Sequence, residues 1–197
     1  MGNIESEDDG LWSRSLKGEG EAFGVLFDRH RDRVFRHAFR LARDRHNAED
    51  IMSTAFLELW RRRGKVRLVE GSILPWLLVT TTNIARNSRR AAFRYSSLLR
   101  SLPRNDEAFD ATSDGSYMDD AVDINVALAL GTLNTTDLQL VSLVVFEEYT
   151  LSAAAAVLNL TRGAAKTRMH RARLRMKAAI YGAAGATPAT VVERERP

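Results

Sequence analysis

The stretch Thr161-Arg-Gly-Ala-Ala-Lys-Thr-Arg-Met-His-Arg-Ala-Arg-Leu174 is basic along its length and helical in its periodicity. Ala165, Met169, Ala172 and then Met176 recur at spacings of 4, 3 and 4, which turns one helix face inward. The rest of the helix carries Arg162, Lys166, Arg168, His170, Arg171, Arg173, Arg175 and Lys177, and no Asp or Glu occurs between Tyr149 and Val192. A solvated helix ordinarily interleaves both signs. Charge of one sign points to a polyanion, and a helix of this kind fits the major groove of DNA.

The neighbouring sequence supplies a frame for that helix. A short helix is predicted over 152–158, and Asn159 then stands where a left-handed residue is wanted. A short helix, a tight turn and a longer basic helix from Thr161 to about 180 make a helix-turn-helix. Two further helices precede it, over 121–130 and from Thr135, the second carrying Leu138, Val141, Val144 and Val145. The segment before them holds Asp106, Glu107, Asp110, Asp114, Asp119, Asp120 and Asp123, with no Lys or Arg between Asn105 and Asp123. Such a segment buries too little apolar surface to offset its ordering entropy, so 99–120 reads as a flexible acidic linker.

The N-terminal part is helical too. Phe23, Leu26, Phe27, Val34, Ala38 and Leu41 recur at helical spacing. Asn47 is the expected N-cap of the next helix, with Asp50 three residues on, and Ile51, Met52, Ala55, Phe56, Leu59 and Trp60 form its apolar face. Ser72 is expected to cap a third helix that tolerates Pro75 in its first turn and runs through Trp76, Val79, Asn83 and Ile84. No stretch alternates with the period of a strand. The expected fold is all-α: a disordered N-terminus over 1–10, a helical domain over 11–98, the linker over 99–120, a helix-turn-helix domain over 121–181 and a disordered tail over 182–197.

Composition narrows the chemistry. The 197 residues carry a net charge of +4 and 45% hydrophobic residues, as in a globular protein with buried cores. There is no cysteine, which excludes disulfides, thiolate metal sites and cysteine nucleophiles. The four histidines (His30, His37, His46 and His170) lack zinc-ligand spacing, and no Walker loop or nucleophile elbow occurs. No enzyme, cofactor or metal is expected. The acidic start lacks a signal peptide's pattern and the longest apolar run is too short to cross a bilayer, so a cytoplasmic protein without a membrane partner is expected.

The basic helix closely resembles the recognition helix of extracytoplasmic-function sigma factors, with Gly163, Lys166, Arg168, Arg171, Ala172 and Arg173 matching the family's pattern. Ala164 and Ala165 stand for its usual Thr and Val, and Ala153-Ala154-Ala155 for Glu-Ile-Ala. Ala48-Glu49-Asp50 with Phe56 and Trp60 resembles the helix that grips the polymerase clamp, although Ser53-Thr54 replaces a Gln-Glu pair. Trp76-Leu77-Leu78 with Asn83, Asn87 and Arg90 resembles the helix that reads the downstream promoter element.

The resemblance implies a non-catalytic subunit that binds core RNA polymerase and directs promoter-specific initiation. Arg162, Lys166, Thr167, Arg168, His170, Arg171 and Arg173 are then expected on the duplex upstream element, named minus thirty-five. Lys166, Thr167, His170 and Arg171 fall near base edges, and Arg162, Arg168 and Arg173 on phosphates. Arg168 has an intradomain ion pair as its alternative. Arg62, Arg63, Lys65, Arg67, Asn83, Arg86, Asn87 and Arg90 are expected on the melted, single-stranded minus-ten element, with the loop Arg61 to Arg67, leading to Ser72, in the place of the family's base-selecting loop. For Asn83 a buried structural amide is the alternative, and for Trp76 core packing stands beside base stacking.

Asp50, Met52, Ser53 and Phe56 are expected against the polymerase, Phe56 and Met52 mixing that contact with core packing and Asp50 dividing between contact and cap. The arginines of 29–45 are read mostly as a solvated face. An anti-sigma factor is a further implied partner, and the acidic linker would mimic nucleic acid in a polymerase channel. A stand-alone helix-turn-helix regulator is the main rival. An adaptor that binds polymerase without reading DNA is a third reading.

Overall fold

The computed structural model of the chain describes residues 8–101 and 121–184. Residues 1–7, the linker beyond 101 and the tail beyond 184 lie outside the described residues. The described chain is helical throughout, and a lone antiparallel bridge between Val69 and Ser72 is its one piece of extended pairing.

Four helices form the N-terminal body: α1 (Asp8–Leu16), α2 (Gly20–Ala42), α3 (Arg45–Arg62) and α4 (Leu74–Ser101). In α2, Ala22, Leu26, Val34 and Ala38 are fully or almost fully buried, and His30 and His37 lie buried on the same stripe. Edge-on pairs lock α2 to α3: Phe23 with Trp60 at 5.0 Å between centroids, and Phe27 with Phe56 at 4.7 Å. Helix α2 ends on Arg43 in the left-handed region, whose N–H donates to the Phe39 carbonyl.

The cap of α3 is Asp44, not Asn47 as the spacing suggested. Its carboxylate accepts the Asn47 N–H at 2.7 Å, so the helix starts earlier and Asn47 lies in its first turn. Asp50 is therefore free of the capping role and exposed. Ser72 does serve the start of α4, its Oγ accepting the Leu74 N–H at 3.2 Å. Residues 8–10, expected within a disordered N-terminus, belong to α1, which begins at Asp8, and that carboxylate is fully buried.

The C-terminal body comprises α5 (Ala121–Gly131), α6 (Thr135–Val141), a π-helical turn (Ser142–Phe146), α7 (Leu151–Val157) and α8 (Arg162–Ala184). Three side chains cap it: Asn134 accepts the Asp137 N–H, Thr150 the Ala153 N–H and Thr161 the Ala164 N–H. Between α7 and α8, Asn159 has φ 52°, as its position required, and the Leu160 N–H returns to the Ala155 carbonyl. Ala165, Met169 and Ala172 are buried against Leu130, Leu138, Leu143 and Ala153 to Ala155 in the same core. Helices α4 and α8 run past the expected boundaries at 98 and 181.

The two bodies meet where α4 packs on α6, the π-turn and α7, and where arginines of α2 reach Glu147. Arg33 Nε donates to Glu147 at 2.9 Å, Arg40 lies 3.6 Å from the same carboxylate, and the Arg40 guanidinium sits 4.5 Å from the Phe146 ring centroid.

Candidate nucleic-acid interface

Helix α8 displays its basic residues as the periodicity required. Arg162, Lys166, Thr167, His170, Arg171 and Arg173 are exposed on the face opposite the buried Ala165–Met169–Ala172 stripe. Arg168 is different. Its Nη1 donates to Asp137 Oδ1 at 2.9 Å, and Arg175 donates to Oδ2 of the same carboxylate at 2.9 Å. Asp137 is buried in the first turn of α6 and also accepts from Asn134. One carboxylate therefore fixes the rotation of α8 against α6 and decides which side chains face outward. The sequence signal for it was slight: Asp137 is one of three acids, with Glu147 and Glu148, between Thr135 and a helix without any.

The downstream group divides. Arg62, Lys65, Arg67, Asn87 and Arg90 are exposed. Arg62 pairs with Glu58 at 2.7 Å, and Arg63 stacks on Trp60 at 4.1 Å while donating to its carbonyl. A cleft lined by Trp76, Asn83, Asn87, Arg62, Arg90 and Glu58, and by Thr135 of the C-terminal body, joins the end of α3 to α4, and Trp76 is half-buried, packing on the core while lining this cleft. Asn83 is not a buried amide. It is exposed, and its Oδ1 accepts from Gln139 Nε2 of the C-terminal body at 2.9 Å. Arg86 likewise donates to Thr135 Oγ1 at 2.7 Å and to the Leu133 carbonyl. Burial, together with the charges of Arg89 and Arg90, lowers the pKa of Arg86 from its ordinary value.

Of the residues expected against polymerase, Asp50 and Ser53 are exposed and Met52 is half-buried. Phe56 is 4% exposed and spends its ring on Phe27, so it is a core residue and offers almost no surface to a partner. The arginines of α2 also depart from a solvated face: Arg29 holds Asp8, and Arg33 and Arg40 hold Glu147.

Buried His37 places Nε2 2.9 Å from Thr82 Oγ1, and that hydroxyl donates to the Leu78 carbonyl. The ring therefore donates to Thr82 and is neutral. Burial, helped by the nearby Arg40 charge, pushes its pKa down to about 3. Between that value and the ordinary 6.5 the unfolded chain binds a proton that the folded chain refuses. The stability is complete above pH 6.5 and falls as the pH drops towards 3. Unfolding free energy in urea should be about 2 kcal/mol lower at pH 5 than at pH 7, and His37→Met should flatten that difference.

Sigma-70 region 2 matches residues 26–95 and sigma-70 region 4 matches residues 129–178, the two bodies just described. The RNA polymerase sigma factor CarQ of Myxococcus xanthus is 30% identical over 162 residues, covering 80% of this chain and 88% of CarQ. The chain belongs to the ECF RNA polymerase sigma factors.

This sigma factor is also 31% identical over 167 residues to the ECF sigma factor BldN of Streptomyces coelicolor, covering 82% of the chain but 61% of BldN. Its fold is that of CnrH, solved with the cytosolic domain of CnrY (TM-score 0.62, 23% identity, 89% of this chain and 97% of CnrH). It is also that of the Bartonella quintana sigma factor RpoE, solved with the anti-sigma factor NepR (TM-score 0.56, 19% identity, 81% and 96% covered). No helix of the sigma factor among the described residues is long and apolar enough to cross a membrane.

Proposed function

We propose that this sigma factor binds core RNA polymerase in the cytoplasm and directs initiation at promoters that it reads at two places by different physics. The observation that carries the reading is the outer face of α8, basic, exposed and rigidly set by Asp137, in a chain that also bears a basic cleft on a second helical body. A lone helix-turn-helix regulator has no use for the second body.

In this reading Lys166, Thr167, His170 and Arg171 meet base edges of the duplex upstream element, and Arg162 and Arg173 meet phosphates. Arg168 contributes by holding α8, with the exposed part of its guanidinium left for a phosphate. The Lys65–Arg67 loop, Asn83, Asn87 and Arg90 hold the melted strand of the downstream element, while Asp50, Met52 and Ser53 meet the polymerase. The chain supplies no catalytic group, cofactor or metal, because the polymerase performs the chemistry. The closed arrangement must open for this task, since Asn83 and Arg86 are occupied by Gln139, Thr135 and Leu133. An anti-sigma factor is a proposed partner, supported by the fold relative RpoE, which was solved with the anti-sigma factor NepR.

Lys166→Ala and Arg171→Ala are each expected to weaken upstream-element preference by about 1–3 kcal/mol, as for loss of a base contact. Run-off transcription on templates differing only in that element measures it. Equal use of all upstream sequences by the unaltered protein would count against base reading by α8. If the purified sigma factor bound a specific duplex alone, without core polymerase, the regulator reading would take over.

A further inference from the structure

The carboxylate of Asp8 is fully buried and saturated with donors. Its Oδ1 accepts from Arg29 Nη1 at 2.7 Å. Its Oδ2 lies 2.8 Å from His30 Nε2, 3.0 Å from Ser72 Oγ and 3.1 Å from the Ile73 amide nitrogen. The donors come from two places, α2 and the end of the basic loop, and Asp8 itself opens α1. Burial works against the charge, but the bonds from His30, Arg29 and Ile73 outweigh it and hold the carboxyl below its ordinary range.

The segment that Asp8 grips is short and tightly turned. Val69 and Ser72 exchange both backbone hydrogen bonds, at 3.0 and 3.1 Å. Between them Glu70 (φ 53°) and Gly71 (φ 78°) are both left-handed, the conformation of a two-residue hairpin turn. Glycine takes this form freely, whereas Glu70 does so against its preference. The turn needs an anchor, and the anchor is at its end: Ser72 Oγ donates to Asp8 and accepts from the Leu74 N–H. The first amide of α4, that of Leu74, is thereby satisfied by Ser72, and the Ile73 amide just before it by Asp8. Asp8 Oδ2 thereby holds the start of the helix bearing Asn83 and Asn87 and, through the Val69–Ser72 turn, the end of the loop that carries Lys65 and Arg67.

We infer that Asp8 is a positioning residue for downstream-element readout, fixing the loop and the first turn of α4 relative to each other through Ser72 and the Ile73 amide. The inference rests on the reading in which that loop and α4 hold the melted strand. A buried ion network adds little net stability over well-packed apolar residues, so its distinctive contribution here is a single geometry. Contact with bases depends on that geometry, and contact with the polymerase through exposed α3 residues does not.

The test is run-off transcription with core polymerase on promoter pairs that differ by one base in the downstream element, and on pairs that differ in the upstream element. Asp8→Asn keeps the shape but presents an amide N–H₂ to a ring of donors. The downstream preference ratio is expected to fall about tenfold, the worth of roughly one base contact, with upstream preference and core binding unchanged. Ser72→Ala removes only the hydroxyl link, so it reports on positioning even where Asp8→Asn folds poorly, and the ratio should fall in the same direction by less. A third protein, Lys65→Ala with Arg67→Ala, tests the loop itself. If that protein loses the ratio while Asp8→Asn and Ser72→Ala keep it, or lose activity on all promoters in parallel, the inference is overturned and the loop's role stands. If all three keep the ratio, the loop's role falls and the inference with it.

Discussion

Asp137→Ala should destabilise the folded chain by about 2–3 kcal/mol and abolish selective use of the upstream element. The carboxylate is 3% exposed and accepts from Asn134, Arg168 and Arg175, joining the start of α6 to two successive turns of α8. Its removal leaves Arg168 and Arg175 without their anion. Those two side chains are 41% and 50% exposed, so water partly compensates them and the loss stays below that of a fully buried pair. Helix α8 then loses its fixed rotation, although the Ala165–Met169–Ala172 face still packs. Urea unfolding gives the energy, and transcription from templates with altered upstream elements gives the selectivity. Asp137→Asn should fall between the two, because an amide oxygen still accepts. A stability loss under about 0.5 kcal/mol, the range of an ordinary surface substitution, would show that the triad does not hold the helix.

Glu147→Ala should open the molecule. The Glu147 side chain is 5% exposed at the junction of the two bodies and is held by Arg33 and Arg40. Truncating one partner of a buried charge pair costs about 2–5 kcal/mol, and the lower figure already shifts a closed population about 30-fold. The freed surfaces include Asn83 and Arg86, which the closed form commits to Gln139, Thr135 and Leu133. Because the chain has no cysteine, single labels can be placed through Ser13→Cys in α1 and Tyr181→Cys in α8, both exposed positions. Energy transfer between them should fall on Glu147→Ala, and affinity for core polymerase should rise. Unchanged transfer would mean that the Glu147 pairs do not hold the bodies together.

What was legible in the sequence was local. The 4–3–4 spacing of Ala165, Met169, Ala172 and Met176 gave the buried face of α8, and Asn159 gave the turn before it, because both signals lie within a few residues of their effects. The cap of α3 was misread by three positions because Asp44 and Asn47 are both good caps, and only the backbone at Asp44 is extended. Phe56 was given a share in partner contact because an apolar helix position does not reveal what covers it; Phe27, 29 residues earlier, does.

The three carboxylates that organise the site were missed for the same reason. Asp8 reaches Ser72 across 64 residues, Asp137 reaches Arg175 across 38, and Glu147 reaches Arg33 across 114. A single acid in a basic chain has many candidate partners, and the fold alone selects among them. The arginines of α2 looked like a solvated face for the same reason.

Run-off transcription with purified core polymerase, with start sites mapped across genomic fragments, tests the central claim most directly. Core enzyme with this chain should begin transcripts at defined positions sharing an upstream and a downstream element, and core enzyme alone should not. Failure of the core enzyme to capture the chain, or transcripts with no common start in its presence, would contradict the assignment of promoter choice to these two bodies.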